Sequence, residues 1–146
     1  MLHILIHMDG REAPLTSQEA ARMLDTNAVV VRRTMAGLRD AGHVRSERGH
    51  GGGWTLSHDL DQITVLDVYR AVGEPRIFSI GPANPSPQCL VEQAVNDSMA
   101  TALRDAEKLL IDHFAGVTLA DIAADFDKRL AALGLTRSVF PASGAP

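Results

Sequence analysis

The sequence predicts a mostly α-helical chain that carries one small β-hairpin and ends in a long pairing helix. Three observations predict it. Two short helix patterns lie back to back, one opened by Thr16-x-x-Glu19 and the next by Asn27. Both openings are residue types whose side chains satisfy the free N–H groups of a helix start. Two short alternating segments then flank Arg48-Gly49-His50-Gly51-Gly52-Gly53-Trp54, whose three adjacent glycines allow a sharp turn and close approach to another surface. Finally, residues 89 to 114 repeat apolar side chains at spacings of three and four, the signature of a helix with one apolar seam.

The elements follow in order. Residues 1–9 read as a helix that is apolar from Leu2 onward and has no cap, so either this helix is short or the natural chain starts earlier. Gly10 and Pro14 bracket a loop. Leu15 serves as a staple for the helix that Thr16 opens, which carries Ala20, Ala21 and Leu24 and stops near Asp25. The helix from Asn27 runs to about Ala41 and ends at Gly42, with Val31, Met35 and Leu38 as its core stripe. Strands are expected at 43–47 and 54–57, with Val44, Trp54 and Leu56 inward. Thr64 opens a helix containing Val65, Leu66, Val68, Tyr69 and Val72 that Gly73 closes. Residues 73–88 hold four prolines and two glycines and read as a linker, with Ile77, Phe78 and Ile80 able to rest on a neighbouring surface. The long helix places Val91, Val95, Met99, Ala102, Ala106, Leu109 and His113 on one seam, which Leu103, Leu110 and Phe114 widen. Thr118 and Asp121 start a last helix bearing Leu119, Ile122, Phe126, Leu130 and Leu133.

This gives a head at 1–73, a linker at 74–88, a helical dimerisation region at 89–135 and a disordered tail at 136–146. A length of 146 residues suits one domain with a helical arm, and 45% hydrophobic residues suffice for a core. The single cysteine, Cys89, rules out an internal disulfide and hence a disulfide-stapled secreted scaffold. No apolar run is long enough for a membrane span, and no secretory signal is visible, so a cytoplasmic protein is expected. The net charge of −4 hides an asymmetry. Residues 27–58 hold five arginines against Asp40 and Glu47, whereas residues 59–146 hold seven basic and twelve acidic side chains. A local basic face is what phosphate contact requires.

Helix, turn, helix and a basic glycine-tipped hairpin is the order of a winged helix-turn-helix DNA-binding domain. If Val31 faces the core, Val29, Arg33 and Ala36 fall on the far side of the helix and Arg32 on its flank. Three consecutive valines cannot all be core. In a major groove, arginine reaches guanine edges and an apolar side chain touches a thymine methyl. Asn27, Val29, Val30, Arg32 and Arg33 are therefore the candidate recognition residues, against the plainer reading of a solvated helix face. Arg45, Arg48, His50, Gly51 and Gly52 are the candidate wing contacts, against a simple turn. His50-Gly51-Gly52-Gly53 also matches an esterase oxyanion string, but no Gly-x-Ser-x-Gly elbow accompanies it, and no Gly-Lys-Ser/Thr marks a phosphate loop. His3, His7 and Asp9 have metal-ligand spacing, although histidines so placed more often sit on a part-exposed face; no metal site is expected. Cys89, at the start of the long helix, is a candidate redox sensor, against a small residue packed at a joint.

Together these residues resemble the Rrf-two (Rrf2) family of bacterial transcription regulators over residues 1 to about 133. The most specific parts are Arg48-Gly49-x-Gly51-Gly52-Gly53-aromatic and Asn84-Pro85-x-x-x-Cys89, supported by Thr118-Leu119-Ala120-Asp121-Ile122. The resemblance implies a homodimer crossed through the long helix and bound to an imperfect palindrome. It makes Arg48 the minor-groove wing arginine and Arg32 a base-reading residue, a position where some members carry an acidic side chain. Cluster-binding members hold iron and sulfur with three cysteines around the position of Cys89. One thiolate cannot anchor a cluster that takes four ligands, so no cofactor is expected and the chain falls in the cluster-free branch.

The expected function is that of a sequence-specific, double-stranded-DNA-binding transcriptional regulator. It is expected to be a homodimeric repressor with Val91, Val95, Met99, Ala102, Ala106 and Leu109 as the dimer seam, responsive to redox or a small-molecule effector. The alternative is a winged-helix adaptor that binds protein and not DNA. No nucleophile–base pair or carboxylate pair supports an enzyme.

Overall fold

The computed structural model describes residues 1–47, 49, 52–79 and 88–137. The first helix, α1 (Leu2–Met8), is short and turns Ile4, Leu5 and Met8 into the core. Helix α2 (Ser17–Met23) begins with a full capping box: the Glu19 N–H donates to Thr16 Oγ1 at 3.1 Å, and the Thr16 N–H donates to Glu19 Oε2 at 2.8 Å. Helix α3 (Ala28–Asp40) starts where Asn27 Oδ1 accepts from the Val29 N–H at 2.7 Å. Its expected stripe, Val31, Met35 and Leu38, is fully buried.

Strands β1 (Val44–Ser46) and β2 (Trp54–Leu56) pair antiparallel, with Val44 opposite Leu56 and Ser46 opposite Trp54. Val44 and Trp54 are buried as expected, whereas Leu56 is half-buried at the margin of the head. Leu15 does more than staple α2. Its N–H and C=O both bond Trp54 at 2.9 Å, adding a third edge to the hairpin. Gly53 lies against this edge, where any Cβ would come within 2.7 Å of the Leu15 carbonyl oxygen. A 3₁₀ turn at Leu60–Gln62, with Leu60 buried, was not expected. Helix α4 (Val65–Ala71) repeats the capping box with Thr64 and Asp67. It packs on α3 so tightly that a Cβ on Gly37 would sit 2.1 Å from the Ala71 carbonyl oxygen.

Helix α5 (Leu90–Gly116) runs 27 residues with none buried. Leu103, Leu110 and Phe114 turn toward the head and are half-buried, with Phe114 against the Tyr69 ring at 5.9 Å. Helix α6 (Leu119–Ala132) opens with a third capping box, Thr118 and Asp121. The chain then returns to the head. The Leu119 N–H donates to the Ile63 carbonyl at 2.8 Å, the Val65 N–H to the Val117 carbonyl at 2.9 Å, and Leu119 and Ala123 enter the main core. Leu130 is buried, but Leu133, expected on the same stripe, is 72% exposed because the helix has ended at Ala132. Arg137, expected in a disordered tail, pairs with Asp127 at 2.6 Å and Asp9 at 2.7 Å, joining the segment after α6 to the end of α1. No helix among the described residues is long and apolar enough to cross a membrane.

Candidate nucleic-acid interface

Two local choices build the interface. Asn27 fixes the first turn of α3, and β1–β2 carries the wing forward beside it. Between them lies a groove of about 330 Å³ lined by Thr16, Ser17 and Gln18 at the start of α2, Arg32 on α3, and Ser46, Glu47, Gly49, Gly52 and Gly53 at the wing root. Trp54 holds its two walls together, since its indole N–H donates to Ser17 Oγ at 2.9 Å across 37 residues of sequence. At the wing, Glu47 and Gly53 exchange backbone bonds at 2.8 and 3.1 Å, and the Gly52 N–H donates to the Gly49 carbonyl at 3.0 Å.

Arg32 therefore faces this groove, and Arg33 is exposed one residue on. Neither forms an ion pair among the described residues, unlike Arg39, which Asp40 holds at 2.7 Å. Val29 and Val30 are exposed at 63% and 54%, while Val31 between them and Arg32 is buried. Asn27 is exposed and its side-chain oxygen is spent on the cap. Arg45 sits on the alternate face of the hairpin from Ser46, and its guanidinium donates to the Leu56 carbonyl at 3.4 Å. It lines a separate cavity of about 310 Å³ with Arg11, His58 and Asp59. Arg48, His50 and Gly51 lie outside the described residues. Ser17 and Gln18 went unnoticed in the sequence, where the Thr16-x-x-Glu19 signal located the helix start but not what it would face.

Elsewhere, Cys89 is exposed as the N-cap of α5. The backbone N–H groups of Glu92 and Val91 draw its thiol below the ordinary value. The seam residues Val91, Val95, Met99, Ala102 and Leu109 are exposed, and Ala106 is half-buried. His3 and His7 stack edge to face at 4.6 Å, while Arg137 takes Asp9. His7 is pushed below its usual range by burial and then by the nearby positive charges of His3, Arg11 and Arg137. No three metal-donor side chains converge among the described residues.

The family model of Rrf2, described as an iron-dependent transcriptional regulator, matches residues 1–125. The chain belongs to the Rrf2 family. As a member of that family it is a transcriptional regulator and not an enzyme. This Rrf2 protein is 30% identical to the HTH-type transcriptional regulator YwnA of Bacillus subtilis over 123 residues, covering 83% of this chain and 90% of that one. The solved structure of the global cysteine regulator CymR of B. subtilis matches with a TM-score of 0.56 at 27% identity, covering 84% of this chain and 87% of that one. A transcriptional regulator from Lactobacillus plantarum shares the fold with a TM-score of 0.72 at 22% identity, covering 91% of both chains. An iron–sulfur cluster, which the sequence resemblance raises, does not suit this Rrf2 chain. Its single thiol is an exposed helix cap with no other donors gathered around it among the described residues, and a cluster takes four ligands.

Proposed function

We propose that this regulator binds an imperfect DNA palindrome as a homodimer and represses transcription from it, in the cytoplasm where the chromosome lies. The groove between α2, α3 and the wing carries the reading, because it sets Arg32, which has no ion-pair partner among the described residues, beside the Thr16 and Ser17 side chains and the wing root of Ser46, Glu47 and the glycines. On this reading α3 enters the major groove, with Arg32 and Arg33 on guanine edges or phosphates and Asn27, Val29 and Val30 at the leading end. Arg48, His50, Gly51 and Gly52 serve the wing, with Arg45 at its base. The dimer reading rests on α5, whose seam leaves Val91, Val95, Met99, Ala102 and Leu109 in water and Ala106 half-buried. A second copy covers such a seam and makes the half-sites two-fold related.

The signal on this reading reaches Cys89 or a small molecule. Cys89 stands between the DNA-binding head and the pairing helix, and its lowered pKa favours the reactive thiolate. Ile77 and Phe78, half-buried in the segment between α4 and α5, are the apolar side chains this reading offers to a ligand. Fluorescence anisotropy of the chain on the DNA upstream of its own gene tests the proposal. Tight binding that weakens with salt, and that Arg32→Ala reduces, is expected. Binding that weakens on mild oxidation in the wild type but not in Cys89→Ser assigns the thiol. Absence of salt-sensitive binding by the dimer defeats the DNA reading and favours a protein-binding adaptor.

A further inference from the structure

Resting on the reading of α3 as the recognition helix, we propose that Val29 reads a thymine methyl group in each half-site and so sets sequence preference. The valine run of α3 divides sharply. Val31 is buried to 1% exposure, whereas Val29 is 63% exposed. At about 100° per residue, Val29 falls between Arg32 and Arg33 on the helix surface. The flank of this arc that bears Arg32 faces the groove to the wing. The helix face beyond Arg33 is closed further along by α4, where Gly37 meets the Ala71 carbonyl. Val30 points toward that closed side, and Val29 points into the open arc.

The local chemistry holds Val29 in place. Asn27 caps the helix through the Val29 N–H at 2.7 Å, which fixes the first turn that leads into a major groove. A β-branched side chain in a helix has one strongly preferred rotamer, so its two methyl groups are presented stiffly. The apolar feature that a major groove offers is the thymine C5-methyl, while guanine offers N7 and O6 to arginine. An apolar side chain between two arginines therefore matches a half-site in which thymine neighbours guanine.

The test begins with selection of bound duplexes from a random-sequence pool by the full chain. Each thymine of the selected half-site is then replaced by deoxyuridine, which pairs identically and lacks the methyl group. A replacement in one half-site should weaken binding about fourfold, the value of one buried methyl-sized group, and replacement in both half-sites about sixteenfold. Val29→Ala should weaken binding to the thymine site by a similar factor and lose the deoxyuridine effect, whereas Val30→Ala should keep it. Alanine at this exposed helical position preserves the fold, and an unchanged thermal unfolding curve verifies that. Tight binding to a selected site with no deoxyuridine effect, or an effect that survives Val29→Ala, overturns the proposal and leaves the DNA reading standing. Failure of the pool to yield any bound sequence removes both.

Discussion

The head and helix α5 use the same residue types in opposite ways. In the head, Leu38, Val31, Ile4 and Leu15 are sealed by neighbours from α1, α3, β2 and α6, and the apolar stripes end inside one core. In α5, an equally regular stripe of Val91, Val95, Met99 and Leu109 ends in water, although Leu103, Leu110 and Phe114 on an adjacent face find the head. Periodicity alone therefore states that a face is apolar, not what covers it. One apolar pattern is satisfied within the chain, and the other is left exposed by it. On the proposed function a second copy covers it.

Core and seam substitutions should separate these two regions. The largest effect is expected from Leu38→Ala, which empties a fully buried site and should cost about 2–5 kcal/mol of unfolding free energy, read by urea denaturation and independent of protein concentration. Gly37→Ala comes next. Alanine is the better helix former, but its Cβ would collide with the Ala71 carbonyl, so about 1–3 kcal/mol of destabilisation is expected despite the propensity gain. Thr118→Ala, which removes the cap that starts α6, should cost about 1 kcal/mol in the same denaturation assay.

Acid should act on the same caps. The Thr16 side-chain and backbone hydrogen bonds hold Glu19 below the ordinary glutamate range, and the Thr118 backbone and side chain do the same for Asp121. A carboxylate whose folded pKa is depressed stabilises the fold above its unfolded pKa, and that contribution disappears as pH falls through the folded one. Stability should therefore decline as pH drops below about 4, and Thr16→Ala should flatten that decline in a pH series of thermal melts. The smallest effect on the head is expected from Val95→Asp, within about 0.5 kcal/mol for the monomer, because that site is 54% exposed.

Local signals were legible in the sequence. The Thr16–Glu19 capping box, the helix starts at Asn27, Thr64 and Thr118 and the stripe Val31, Met35 and Leu38 depend on residues two to four apart, and each forms as read. Features that join distant segments were not. The Trp54–Ser17 bond spans 37 residues, and the Arg137–Asp9 pair spans 128. The Leu15–Trp54 edge and the return of α6 to Ile63 are likewise backbone contacts that no spacing announces. At the interface, the charge pattern singled out Arg32 and Arg45 alike. The alternation of the strand then turned Arg45 to a different cavity from the one that Arg32 lines.

Sedimentation velocity of the chain, free and on a duplex recovered by selection, tests most directly the central claim that α5 completes its apolar face with a second copy that positions two DNA-binding heads. A dimer is expected in both states with two chains per duplex, and Val95→Asp should sediment as a folded monomer that has lost tight binding. A wild-type chain that is monomeric in solution and binds one chain per duplex, or a Val95→Asp variant that remains a dimer, would contradict it.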